Sequence, residues 1–191
     1  MEQTAGRLVI YIDPRYDVPR LLTVKGGKGC RLDTLETYTE ENSASPEVLA
    51  RVVKEVQKRY PASSYGLVLW SHGLGWVPPE YSFPGGYAMR LPDPDMPRTK
   101  YYAEDEHPGT TGKAYTDIRE MAARLPGHFS FILWDVCFMG GIEVAYELRN
   151  KTDYMIASPA EVISDGFPYE KMMPLLWGGE EAMKQICREY Y

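Results

Sequence analysis

The sequence predicts an α/β fold, a mostly parallel sheet with helices on both faces, in a single domain spanning residues 1–191. Three observations carry this. Short, nearly continuous apolar runs rich in β-branched and aromatic residues recur along the chain, as expected for buried strands. Between them lie segments with apolar residues at helical spacing, and this strand-helix alternation demands a parallel sheet. With 191 residues and 44% apolar composition, the chain is long enough to bury one substantial core.

The first run, Arg7 to Asp13, alternates little and stops at Pro14, so it reads as a strand covered on both faces. Pro19 to Tyr38 holds two short runs around Gly26 to Gly29, which suggests a hairpin. Those glycines lack the following Lys-Ser or Lys-Thr and the strand-loop-helix setting of a phosphate loop, so a turn is the simpler reading. Ser45 and Pro46 start a helix, because the serine hydroxyl accepts an orphan backbone N–H and proline fits the first turn. Val48, Leu49, Val52, Val53 and Val56 line its core face, and Pro61 closes it. Tyr65 to Ser71 is a second buried strand, delivering His72 and Gly73 at its end.

From Val77 to Lys113 the chain is rich in proline, glycine and tyrosine, and no helix or strand reads through it. An insertion of this length either covers a site, offers a cleavable linker or decorates the surface. Asp117 with Glu120 resembles a capping box, followed by the helix face Ile118, Met121, Ala122 and Leu125 and the stop at Pro126 and Gly127. Phe129 to Trp134 is the most apolar strand and ends at Asp135. Cys137 follows, then Gly140 and Gly141, which open a helix with Ile142, Ala145, Tyr146 and Leu148 at helical spacing. Tyr154 to Ser158 is a further strand. Pro168 starts a helix carrying Met172, Met173, Leu175 and Leu176, and the final helical pattern runs to Tyr191. A strand that begins almost at once and a helix that stops in mid-pattern lead to the expectation that the domain is truncated at both ends.

Composition removes several function classes. A net charge of −6 and a pI near 5.2, with no run of Lys and Arg, argue against a nucleic-acid partner. Cys30, Cys137 and Cys187 are too few and too scattered for a disulfide framework. His72, His107 and His128 lack metal-ligand spacing, so no metal site is expected. No segment has the apolar length of a membrane span, and the first residues lack the pattern of a signal peptide.

In a parallel sheet the carboxyl ends of the strands share one edge, which lets His72 and Cys137 meet across the fold. A thiol becomes a nucleophile as thiolate, which an imidazole generates, and the imidazole later protonates a leaving amine. The backbone N–H groups of Gly73 and Cys137 are candidate oxyanion donors. Taken singly, each residue has an ordinary alternative: an inert buried thiol, a histidine capping nearby backbone.

Three blocks go further. LVLWSHGLGW around His72, DVCFMGGIEVAYEL around Cys137 and YMIASPAEVISDGFPY around Asp165 together resemble clostripain-type cysteine peptidases, bacterial relatives of caspases and gingipains. The resemblance implies a caspase-like three-layer sandwich and a His72/Cys137 dyad that cleaves protein or peptide substrates after Arg or Lys through a thioester. It implies that Asp135 lines the pocket for the basic side chain and that Asp165 is a second pocket carboxylate. For Asp135 a structural hydrogen-bonding role, and for Asp165 a simple turn, stay open beside this. The resemblance further implies secretion or an envelope location and maturation by cleavage between the two catalytic blocks, where Arg90, Arg98, Lys100 and Lys113 offer sites; a monomer is expected. Calcium serves some relatives, although no motif here supports it, and no other cofactor is expected. The alternative from another class is a catalytically inactive caspase-like binding module of the bacterial envelope.

Overall fold

The computed structural model describes residues 6–25, 31–75, 101–105, 115–163 and 165–190. Its centre is a parallel sheet of three strands in the order β4 (Gly66–Trp70), β7 (Phe129–Asp135), β8 (Thr152–Ile156). Strand β7 lies in the middle, and Ile132, Leu133 and Trp134 are wholly buried because helices cover both faces. Burying such a side chain contributes about 1.5–3 kcal/mol, so this strand forms where its residues lose the most water.

The alternation along β7 divides two cores. On one face Ile132, Trp134 and Val136 join Val53 of α1 (Pro46–Arg59), Met121 of α2 (Ile118–Arg124) and Val144 and Leu148 of α3 (Ile142–Leu148). On the other, Phe131 and Leu133 join Phe167, Met172 of α4 (Tyr169–Met172) and Met183 and Ile186 of α5 (Glu180–Tyr190). The result is the expected sandwich of helices, sheet and helices.

Helix α1 starts as its sequence dictates. Ser45 Oγ accepts from the N–H groups of Glu47 and Val48, and Pro46 is the first helical residue. Asp117 caps α2 through the N–H of Arg119, with Glu120 in the first turn. The helix expected from Pro168 is short, passing at Met173 into a 3-10 turn that ends at Trp177.

Three elements differ from expectation. Strand β1 (Val9–Ile12) is half-buried and, among the described residues, pairs only antiparallel with β2 (Arg20–Lys25), which pairs with β3 (Arg31–Thr37). The hairpin is therefore correct, but the first strand belongs to it and not to the parallel sheet; the Gly26 to Gly29 turn lies outside the described residues. The 77–113 stretch does contain a strand, β5 (Tyr101–Glu104), paired with β6 (Tyr115–Asp117); most of the rest of it lies outside the described residues. Helix α3 buries Leu148, as the spacing predicts, and half-buries Ala145, but Val144 takes the other core position while Ile142 and Tyr146 are exposed.

Replacing Ser45 by Ala is expected to lower unfolding free energy by about 1 kcal/mol. Urea denaturation would register this as a lower midpoint at unchanged slope.

Candidate active site

One pairing positions the site. Strands β4 and β7 run parallel with Trp70 opposite Asp135, and His72 and Cys137 each follow that pair by two residues. Equal lengths of chain past a registered pair on adjacent strands bring the imidazole and the thiol to the same edge. Both line one cleft of about 490 Å³, together with Asp135. His72 is exposed and Cys137 half-buried, a free thiol. Opposing walls come from Ile12 to Arg15 and from Ser43 and Asp105.

His72 is anchored through its backbone. The N–H of Ala103 donates to the His72 carbonyl at 3.1 Å, and Gly73, which is buried, bridges to Tyr102. Tyr102 in turn meets Trp134 edge-on, with ring centroids 4.9 Å apart. Strand β5 thus ties the histidine loop to the core.

The thiol is seated by the segment that follows β8. The N–H of Val162 donates to Cys137 Sγ at 3.3 Å, and the Val162 carbonyl lies 3.7 Å from the same sulfur. Phe138 N–H donates to Ala160 O and Gly140 N–H to Ser158 O, so the two loops run against each other. Gly140 is required there, since a Cβ would lie 2.6 Å from Pro159 N. Phe138 has φ of 61°, a left-handed backbone rare for an aromatic residue, immediately after the thiol.

Asp135 is 3% exposed. Its Oδ2 accepts from the Tyr169 hydroxyl at 2.7 Å and from the Phe167 N–H at 3.4 Å, while buried Oδ1 has no hydrogen-bond partner among the described residues. Burial, and then the bond to Asp135, push the Tyr169 hydroxyl well above its ordinary value, so it remains a donor at neutral pH. Two neutral donors do not offset the burial of a carboxylate; a cation would. Gly166, with φ of 69°, closes over this carboxylate, and a Cβ on it would sit 2.6 Å from Oδ2.

The structure therefore gathers His72, Gly73, Cys137 and Asp135 at one edge, with the first, third and fourth lining the cleft. Asp165 is not brought in: it is exposed on the turn before Gly166 and does not line the cleft. Helix α3 begins five residues after Cys137, so the thiol does not sit on a helix start. Tyr169 and the Val162 backbone escaped the sequence reading, because nothing in their local pattern distinguishes them from helix-start and loop residues. Arg90, Arg98, Lys100 and Lys113 lie outside the described residues.

Among the described residues, oxygen atoms of Asp13, Glu40 and Asp105 lie within 4.8 Å of one another. Carboxylates are the hard donors calcium takes, but it needs six to eight oxygens, and Asp105 Oδ2 already accepts from the Ser43 N–H. The donor chemistry fits calcium and the donor count is incomplete.

A parallel sheet between helical layers, with a thiol and an imidazole facing one cleft at its carboxyl edge, is the architecture of caspase-like cysteine peptidases. The comparisons narrow the class. A family model described as the clostripain family, Peptidase_C11, matches residues 1–191, and the chain belongs to that family. Clostripain from Hathewaya histolytica is 26% identical over 176 residues, covering 84% of this chain and 31% of that protein. Among solved structures, an inactive zymogen C11 protease from Parabacteroides distasonis superposes with a TM-score of 0.77 at 36% identity, covering 100% of this chain and 48% of that one. A secreted C11 cysteine protease from Bacteroides thetaiotaomicron, in complex with an irreversible peptide inhibitor, gives 0.74 at 32% identity over 98% of this chain and 49% of that one. The chain thus spans about half the length of these solved proteases and under a third of clostripain.

Tyr169→Phe is expected to destabilise the domain by about 1.5–3 kcal/mol, the worth of a hydrogen bond to a charged group, read by denaturation at pH 7. Gly140→Ala is expected to slow alkylation of Cys137 by iodoacetamide or disorder its loop, visible as altered amide exchange over residues 137–141 and 158–162.

Proposed function

We propose that the full-length protein is a cysteine endopeptidase that cleaves after Arg or Lys, with Cys137 as nucleophile and His72 as general base and acid. The observation that carries this reading is a buried carboxylate, Asp135, one of whose oxygens has no hydrogen-bond partner among the described residues, in the same cleft as the thiol and the imidazole. A cationic side chain entering the cleft supplies the missing partner, and a guanidinium does so with paired donors. Holding the basic residue at Asp135 sets the following peptide bond near Cys137, two residues further along the chain.

In the reaction, His72 takes the thiol proton and Cys137 Sγ attacks the carbonyl carbon, forming a C–S bond. The N–H groups of Gly73 and Cys137 receive the developing oxyanion. The Val162 N–H, 3.3 Å from the sulfur, holds it in position in the cleft. His72 then gives its proton to the amine as the C–N bond breaks, leaving a thioester. Water, deprotonated by His72, attacks that thioester, and the C–S bond breaks to release the carboxylate and restore the thiol. Asp165, exposed beside Gly166, adds negative potential at the mouth and makes no contact required for the chemistry. A calcium ion, if used, would be held by Asp13, Glu40 and Asp105 and would brace the wall formed by the end of β1 and residue 105.

Secreted relatives from Bacteroides thetaiotaomicron support export or an envelope location for the parent protein. No helix among the described residues is long and apolar enough to cross a membrane. We further read the protein as a monomer that cuts itself between the His72 and Cys137 blocks, at a basic residue such as Arg98 or Lys100.

In the full-length protein, Cys137→Ala and His72→Ala are each expected to lower hydrolysis of an arginyl amide by about a thousandfold or more. Asp135→Ala should cost about a hundredfold against basic substrates and leave neutral ones little changed; retained activity in Cys137→Ala would overturn the mechanism. Intact-mass spectrometry tests self-cleavage: a cut is expected in the native protein and absent from Cys137→Ala, and its persistence in the mutant would assign it to another protease.

A further inference from the structure

Trp70 is the largest side chain left uncovered at the site. It is 72% exposed at the end of β4, whose Leu69 is buried and whose Leu67 and Val68 are half-buried against the two cores, and it lines the same cleft as Asp135. A tryptophan so exposed beside a cleft calls for a reason, because indole surface is costly to leave in water.

Its placement supplies one. Strand residues alternate between faces, and Val68 packs into the core formed with α4 and α5, whereas Leu69 packs on the opposite side. Trp70 therefore shares a face with Val68. By the same alternation Asp135 shares a face with Phe131 and Leu133, which belong to that same α4/α5 core. Trp70 and Asp135 are partners in the parallel register. Neighbouring strands lie about 4.8 Å apart, so the indole stands beside the carboxylate on the same side of the sheet. A cation held against Asp135 falls within the roughly 6 Å over which an aromatic face attracts it.

We infer that Trp70 is the aromatic wall of the pocket for the basic side chain, stacking on a guanidinium held by Asp135 and so making the site prefer Arg to Lys. This rests on the reading of Asp135 as the residue that selects a basic side chain. A guanidinium is planar and weakly hydrated, and it stacks on an indole while keeping both donors on a carboxylate; an ammonium is compact and strongly hydrated and gains less from the ring. Exposed Ile163 lines the same cleft and provides a second apolar surface for the aliphatic stem.

The test uses the full-length protein and three amide substrates identical except for Arg, Lys or citrulline before the scissile bond. Native enzyme is expected to favour Arg over Lys by about tenfold. Trp70→Leu should lower kcat/KM for Arg about tenfold and for Lys less than threefold, collapsing the ratio, while Trp70→Phe keeps most of it. Because the side chain is largely in solvent, neither change removes core packing. Equal losses on Arg and Lys, or an unchanged ratio in Trp70→Leu, would overturn the inference while leaving the peptidase reading intact. Cleavage of citrulline as fast as Arg by native enzyme, or no cleavage of either, would instead overturn the selection by Asp135 and this inference with it.

Discussion

The parallel register between β4 and β7 is the constraint on which the rest depends. With Trp70 opposite Asp135, two strands far apart in sequence present His72 and Cys137 at matched distances beyond their ends. A slip of one residue would turn every side chain of β4 to the other face, exchanging Trp70 for Leu69 at the pocket and sending an indole into a packed core. The burial of Ile132, Leu133 and Trp134 therefore does more than stabilise the sheet, since the same packing that forbids the slip holds the site in place.

Around that register the chain returns twice to fix the two reactive residues. Strand β5 holds the backbone of His72, and the segment after β8 hydrogen-bonds to the loop carrying Cys137 and to its sulfur. The second contact involves close backbone approach, which is why glycine occupies position 140, while glycine at 166 leaves room for the Asp135 carboxylate. The carboxylate of Asp135 is held within this frame by Tyr169 and Phe167 at a cost in desolvation. That cost is explained if the partner arrives with the substrate.

Much of this was legible in the sequence, for identifiable reasons. The strand at 129–135 was readable because a strand buried on both faces must be apolar throughout, and α1 because Ser45 and Pro46 state its start; the strands at 66–70 and 152–156 are only partly buried and show through their apolar residues, the latter beginning two residues before the Tyr154 to Ser158 run. The order of elements then placed His72 and Cys137 at one edge. What escaped depends on packing between distant segments. Strand β5 sits among prolines and tyrosines with no periodic pattern, and it forms because it pairs with β6 and caps the core through Tyr102. On α3 the spacing singles out Leu148 correctly but favours Ile142 and Tyr146, which keep helical spacing yet stay exposed, over Val144, which the core covers. Asp165 falls outside the cleft since the left-handed turn at Gly166, and not its neighbour, approaches Asp135. Trp70 could be seen only as one more apolar strand residue until its exposure was known.

The central claim is that this cleft uses Cys137 to attack a bond after a basic residue, which separates a peptidase from a binding module with the same pocket. Treating the full-length protein with an arginyl peptide electrophile, and mapping the adduct by mass spectrometry, tests it most directly. One adduct is expected, on Cys137, lost in His72→Ala and absent with a glutamyl electrophile of the same reactivity. No adduct on Cys137, or equal labelling of Cys137 by both electrophiles, would contradict it.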